Sequence, residues 1–129
     1  MQPSAQLEAA SVAELLTRRY ENDYEQGWTD GLPIIPATAE AVQRFVAASG
    51  RRADELIALL PPRKGRATVE VIAVNAIMAG CRPEYMPVLI ALGEAMADPY
   101  YGVEHSGNTP GGETLIILNG PIIKELGFN

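Results

Sequence analysis

Residues 28–36 read Trp-Thr-Asp-Gly-Leu-Pro-Ile-Ile-Pro, and they join an N-terminal helical pattern to the rest of the chain. Asp30-Gly31 is typical of a turn, because Asp hydrogen-bonds its own backbone and Gly accepts a positive φ. Residues 32–35 are too few for a helix, and their prolines restrict them to a short or edge strand. The stretch therefore predicts a rigid turn that presents Trp28 and Asp30 beside an apolar strand, which suits either a binding site or a corner of the core.

Helical patterns lie on both sides of this stretch. Upstream, residues 11–26 begin with a capping box at Ser11 and carry apolar residues at helical intervals until Gly27. Downstream, Thr38 is placed to cap a second helix, which Gly50 ends. A third, short helix is expected over residues 53–60, because two prolines follow it directly.

The middle of the chain is its most apolar part. After a basic loop at residues 62–66, Thr68 is placed to cap a helix that runs toward Gly80, although several β-branched residues there favour a strand. A further helix starts at Pro83 and is apolar on nearly all sides from residue 86 to residue 96. Such a helix needs cover on every face, either within the domain or in an interface with another chain.

The last third of the sequence predicts a loop, a strand, a turn and a helix. Residues 100–112 form a glycine-containing loop that holds His105, the only histidine. Residues 114–118 are all apolar after the threonine, which predicts a buried strand, and residues 122–126 predict a final helix. The fold class predicted is therefore α/β (α+β), helix-rich with a small sheet, in a single domain that resembles one half of a larger two-part fold.

Composition limits the function classes. The 129 residues are 47 % apolar and 20 % charged, which is ordinary for one globular domain. The net charge of −6 disfavours nucleic acids and anionic membranes as partners. No apolar run reaches the length of a membrane span, and residues 1–10, expected to be disordered, lack the features of a signal peptide. A cytoplasmic location is expected.

Four blocks of this sequence, between Gly27 and Asn129, resemble a bacterial family whose members are fused to, or partnered with, the (seleno)protein domain named for its UGSC motif. The blocks are residues 27–33 with Pro36, residues 67–70, residues 75–87 (Asn-Ala-Ile-Met-Ala-Gly-Cys-Arg-Pro-Glu-Tyr-Met-Pro), and residues 119–122 with 125–129. Longer members continue into a glycine- and asparagine-rich second half. The resemblance therefore implies a second subunit, and an active site split between two chains. It implies no redox role, because Gly-Ser-Cys does not occur here.

Three residues form a candidate catalytic set. Cys81 lies just before a helix N-terminus and next to Arg82, both of which favour a thiolate, and Glu84 and His105 could act as base and orienter. Each has a plainer alternative: Cys81 as a small buried residue between helices, Glu84 as a charge that stabilises the helix start, and His105 as a solvated loop residue.

Six further residues are candidates for substrate binding. Asn75 lies among apolar residues of a predicted helix, where its amide either ties the helix to the next turn or faces a ligand. Asn119 and Gly120 lie between a predicted strand and a helix, a common position for anion binding in α/β folds. The remaining candidates are Trp28, Asp30 and Arg82.

The sequence contains no dinucleotide, phosphate-loop or metal-binding motif, so it does not identify a cofactor. The leading interpretation is the small subunit of a heteromeric enzyme of the lyase, hydratase or hydrolase type. It would act on a small, anionic organic substrate at a site shared with a partner chain. The alternative is a non-catalytic binding or assembly module that stabilises a partner enzyme. A second subunit or a homo-oligomer is expected with either interpretation, since the helix of residues 86–96 needs more cover than a few short elements supply.

Overall fold

The computed structural model describes residues 11–60, 64–102 and 114–128. These residues confirm the predicted class, a helix-rich α+β fold with a small antiparallel sheet. In chain order the elements are α1 (Val12–Glu25), α2 (Ala39–Ser49), β1 (Leu56–Leu60), β2 (Gly65–Thr68), α3 (Val69–Met78), a 3₁₀ turn (Pro83–Tyr85), α4 (Met86–Met96) and α5 (Ile122–Leu126).

The chain groups into two units, Met1–Ile35 and Pro36–Asn129. The first contains α1 and the turn after it, and the second contains all the other elements. Residues 1–10 lie outside the described ranges, so their expected disorder stays a prediction.

Three helices begin where the sequence predicts, and for the predicted reason. Ser11, Thr38 and Thr68 have extended backbones just before α1, α2 and α3. The side-chain oxygen of each accepts a hydrogen bond from the backbone N–H three residues further on, at 3.2 Å. These bonds satisfy N–H groups that have no partner within the helix. Gly50 ends α2 as predicted, with φ of 65°.

Helix α3 lies at the centre of the core of the second unit. Its residues Val69 and Ala73 are completely buried, and the helix packs against α2, α4 and β2. Phe45 of α2 and Met86 of α4 belong to the same buried cluster. The mostly apolar sequence of α3 follows from this position, because the helix has neighbours on several faces.

The sheet is a hairpin of β1 and β2, which corrects two predictions. Leu56 pairs with Thr68 and Leu60 with Gly65, with an irregularity between Leu56 and Ala58. The helix predicted over residues 53–60 is therefore wrong, because an apolar run of five residues fits a strand equally well once a partner strand supplies its hydrogen bonds. The predicted basic loop is also wrong for Gly65 and Arg66, which belong to β2.

Neither of the two strands predicted from the sequence forms. Residues 32–35 pair with no strand among residues 11–60, 64–102 and 114–128, and Pro33 and Pro36 lack the N–H groups that a ladder needs. Residues 114–118 likewise pair with no strand in the described parts of the chain, and most of their side chains are exposed. The predictions of a sheet containing these segments, and of a buried strand at residues 114–118, are wrong.

Arg51 joins the loop before β1 to α4. Its guanidinium contacts Glu55 at 2.7 Å and Glu94 at 2.8 Å. The hydrogen bond from Arg51 holds the pKa of the Glu55 carboxyl below its ordinary value. Because all three groups are open to solvent, this network orients the loop and adds little to the free energy of unfolding.

Gly93→Ala tests the packing of α4. Gly93 is buried in mid-helix, and an added Cβ would lie 3.5 Å from Cδ1 of Ile72 and 3.6 Å from Cγ2 of Ile57, both ordinary contacts. Since Ala favours a helix over Gly by about 1 kcal/mol, we expect the substitution to raise the free energy of unfolding by about 0.5–1 kcal/mol. Urea denaturation followed by circular dichroism measures the change.

Gly50→Ala is the matched control, because the same change falls on a residue with φ of 65°. There we expect a loss of about 1 kcal/mol, since Ala adopts this conformation only with strain. A destabilised Gly93→Ala variant would show that α4 packs more closely against Ile57 and Ile72 than the structure indicates.

Candidate functional site

The predicted Trp28 turn is held against α1 by a buried ion pair. The carboxylate of Asp23, only 2 % exposed, accepts a hydrogen bond of 2.7 Å from Nε of Arg19. The Arg19 guanidinium carbon lies 5.9 Å from the centroid of the Trp28 ring. The backbone N–H of Trp28 donates a hydrogen bond of 2.9 Å to the backbone carbonyl of Asp23. Trp28 is therefore positioned by structural contacts within the first unit, with a cation–π interaction on its ring.

Thr29, and not Asp30, closes this turn. The Thr29 hydroxyl accepts from the Gly31 N–H at 3.2 Å and donates to the Leu32 carbonyl at 2.6 Å. Tyr20 of α1 also donates its hydroxyl to the Gly31 carbonyl. Asp30 is exposed and makes no hydrogen bond within the described residues, so the expected turn role of its side chain is wrong. Its predicted role in substrate binding stays a prediction.

Cys81 follows α3 at the edge of the core. It is half-buried, packs against the core cluster, and its N–H donates to the Ala76 carbonyl at 2.9 Å. This position agrees with the plainer alternative, a small residue that fills space between helices. Its proposed role as a nucleophile stays a prediction.

A stack of three side chains brings residues 75–87 and 125–129 together. It consists of Arg82, Tyr85 and Phe128. The guanidinium carbon of Arg82 lies 6.0 Å from the Tyr85 ring centroid, and the Tyr85 and Phe128 centroids are 5.1 Å apart. Glu84, within the same 3₁₀ turn, is exposed and has no ion-pair or hydrogen-bond partner in the described ranges. The stack anchors the end of the chain to the start of α4.

The other predicted residues do not complete a site. Asn75 is exposed, and its amide donates to the Val71 carbonyl one turn back in α3, so it does not tie the helix to the next turn. Asn119 and Gly120 are exposed before α5, which has only five residues. His105 lies outside the described residues, so its meeting with Cys81 and Glu84 stays a prediction.

An apolar groove, which we call the α4 groove, lies elsewhere on the second unit. It is bounded by α4 from Pro87 to Ala95, by residues 115–118 and by Ile122, and its volume is about 420 Å³. All ten residues that line it are apolar. None of the eight predicted site residues that the structure describes lines it. The apolar sequence of α4 predicts that the helix is covered on every face. It does not predict this groove, because residues 115–118 were expected to be buried in the core.

Residues 115–118 form an exposed apolar edge of the α4 groove. Leu115 is 83 % exposed, Ile116 52 % and Ile117 72 %, while Leu118 is half-buried. All four residues also line the α4 groove. Within the described parts of the chain, the backbone groups of residues 115–118 make no hydrogen bond. Several large apolar side chains are thus exposed together along this edge of the groove.

No protein-family model, curated protein or solved structure matches this chain. Within the described ranges, no group of three or more His, Cys, Asp or Glu residues is arranged to hold a metal ion. Nor does that part of the chain include a helix with both the length and the apolar character that crossing a bilayer requires. The α4 groove is the candidate functional surface that we consider among the described residues, and the side chains that line it include no catalytic group.

Arg19→Ala tests whether the Trp28 turn depends on the buried ion pair. The change leaves the Asp23 carboxylate buried without its main partner, which costs about 3 kcal/mol in a well-packed site. We expect the fluorescence of Trp28, the only tryptophan, to show solvent exposure and early unfolding of the first unit in urea. Glu21→Ala, at an exposed position of the same helix, is the control and should leave the spectrum unchanged. An unchanged spectrum in both variants would contradict this account of the turn.

Proposed function

We propose that this chain is an assembly subunit, which binds a protein partner through the α4 groove and residues 115–118. The observation that carries the proposal is the exposure of Leu115 and Ile117, 83 % and 72 %, beside a groove of purely apolar lining. Apolar surface of this kind on a folded protein is typical of an interaction site, because burying it in a complex is favourable.

A protein partner suits the α4 groove better than a small molecule does. Its volume of about 420 Å³ falls within the usual range of ligand pockets, about 300–1,000 Å³. Such pockets, however, contain a few polar groups that fix the orientation of a ligand. The lining side chains here supply none. An apolar segment of another polypeptide needs no such groups, because its apolar side chains alone can fill the groove.

The resemblance of this sequence to a family fused to, or partnered with, another domain supports the same proposal. The enzyme interpretation, with a small anionic substrate and a site shared between chains, stays a prediction. Of its catalytic set, the described residues include Cys81, which packs against the core, and Glu84, which is exposed. The assembly role is therefore the function that the geometry supports best.

Leu115→Asp tests the proposal in the complex that the chain forms in its own host. We expect the purified wild-type chain to give a mass above its own 13.9 kDa in native mass spectrometry. The variant should give the mass of the free chain, because a carboxylate in an apolar interface carries a desolvation cost of several kcal/mol.

Val71→Asp is the matched control, since it places the same charge on an exposed apolar residue of α3 in the same unit. Its position in the first turn of the helix makes a carboxylate acceptable there. We expect this variant to keep the wild-type mass. A wild-type chain that is monomeric in its host, or a Leu115→Asp variant that keeps the complex, would contradict the proposed function.

A further inference from the structure

We infer that Asn119 is a site of spontaneous deamidation, in which the backbone nitrogen of Gly120 displaces the side-chain amide. The reaction needs no enzyme, and water is its only co-reactant. The inference goes beyond the proposed function, because it assigns a covalent modification to the residue that joins the edge of the α4 groove to the turn before α5.

The sequence supplies the reacting pair. Asn119 is the only asparagine in the chain that is followed by glycine. The reaction requires the nitrogen of the next residue to approach the side-chain carbonyl carbon of the asparagine. Glycine has no Cβ to hinder this approach, and its backbone reaches conformations that other residues avoid.

The structure leaves this pair accessible. Asn119 and Gly120 are both exposed, and both lie outside the helices and strands. Gly120 has φ of 95°, and a Cβ added to it would meet no atom of the described residues within 4 Å, apart from those of its chain neighbours. An exposed segment outside regular elements opens at a low cost in free energy, so the reactive conformation is reached without unfolding of the core.

Two other asparagines in the described parts of the chain lie in helices. Asn22 is in α1 and Asn75 is in α3, where the N–H of the next residue belongs to the helical hydrogen-bond ladder. The Asn75 amide also donates to the Val71 carbonyl at 2.8 Å. Both helices must open locally before either asparagine can react.

Asp30-Gly31 is the second pair of this type, with a carboxyl group in place of the amide. Here the nitrogen that would attack is engaged, because the Gly31 N–H donates to the Thr29 hydroxyl at 3.2 Å. A carboxylate is also a weaker electrophile than a carboxamide. We therefore assign the modification to Asn119 and not to Asp30.

The reaction is balanced with water alone. The nitrogen of Gly120 loses its proton and bonds to Cγ of Asn119, and the bond from Cγ to the side-chain nitrogen breaks to release ammonia. Water then opens the cyclic imide at one of its two carbonyl carbons. Opening at Cγ gives aspartate, whereas opening at the backbone carbonyl carbon gives isoaspartate, in which the main chain runs through Cβ and Cγ.

The products change the edge of the α4 groove. Leu118 and Ile122 both line the groove, and the modified residue lies between them in the chain. Isoaspartate adds one atom to the main chain there, and either product adds a negative charge beside an apolar surface. If the proposed function is correct, the modification therefore weakens binding of the partner. The modification itself does not depend on that function.

The test incubates the purified chain at mildly alkaline pH, once folded and once in guanidinium chloride, and follows each asparagine by peptide mapping with mass spectrometry. We expect Asn119 to give aspartate and isoaspartate in the folded chain at a rate within about threefold of the unfolded rate. Asn22 and Asn75 should react at least about tenfold more slowly in the folded chain than in the unfolded chain.

Asn119→Gln is the matched control, because its longer side chain would have to close a larger and slower-forming ring. It should give neither product at residue 119. Folding that slows the reaction of Asn119 by tenfold or more would overturn the inference, and so would a product that contains aspartate without isoaspartate.

The effect on binding is measured in the complex that the chain forms in its own host. After incubation of that complex, native mass spectrometry separates free from bound chain, and we expect isoaspartate at residue 119 to be enriched at least about tenfold in the free chain. Equal amounts in both fractions would show that the modification does not weaken binding. A complex that survives Leu115→Asp would overturn the proposed function and leave the modification of Asn119 unaffected.

Discussion

Burial of α3 is the constraint on which the second unit depends. The completely buried Val69 and Ala73 need cover from α2, α4 and the hairpin at once, which fixes the positions of those three elements around one helix. The hairpin of β1 and β2 would be marginal alone, since two strands bury too little surface. Ala58 and Ala67, which face each other in it, are both buried. The hairpin is thus stabilised by its packing against α3 and α4.

Helix α4 shows how this arrangement leaves a surface for function. Met86, Ile90 and Gly93 face the core, while the other side of the helix lines the α4 groove with residues 115–118. Among the described residues, this second side of α4 is half-buried or exposed. In our account, it is covered together with residues 115–118 when another chain binds.

Local chemistry made the helices predictable, and non-local pairing made the strands unpredictable. Ser11, Thr38 and Thr68 identify helix starts because their side chains bond only three residues away. The run of residues 56–60 gave no such signal, since its strand character depends on a partner strand that begins at Gly65, within the stretch predicted as a basic loop. The same limit applies to the candidate site. Thr29 and Asp30 could both close the Trp28 turn, and the exposure of Leu115 depends on which elements pack nearby.

Hydrogen exchange at the backbone amides of residues 115–118 tests the central claim most directly, because it reports whether those groups are paired. We expect rapid exchange in the isolated chain. In the complex that the chain forms in its own host, exchange at these amides should slow, while the amides of α3 stay protected in both samples. Slow exchange at residues 115–118 in the isolated chain would contradict our account, because it would mean that the segment is already paired within its own chain.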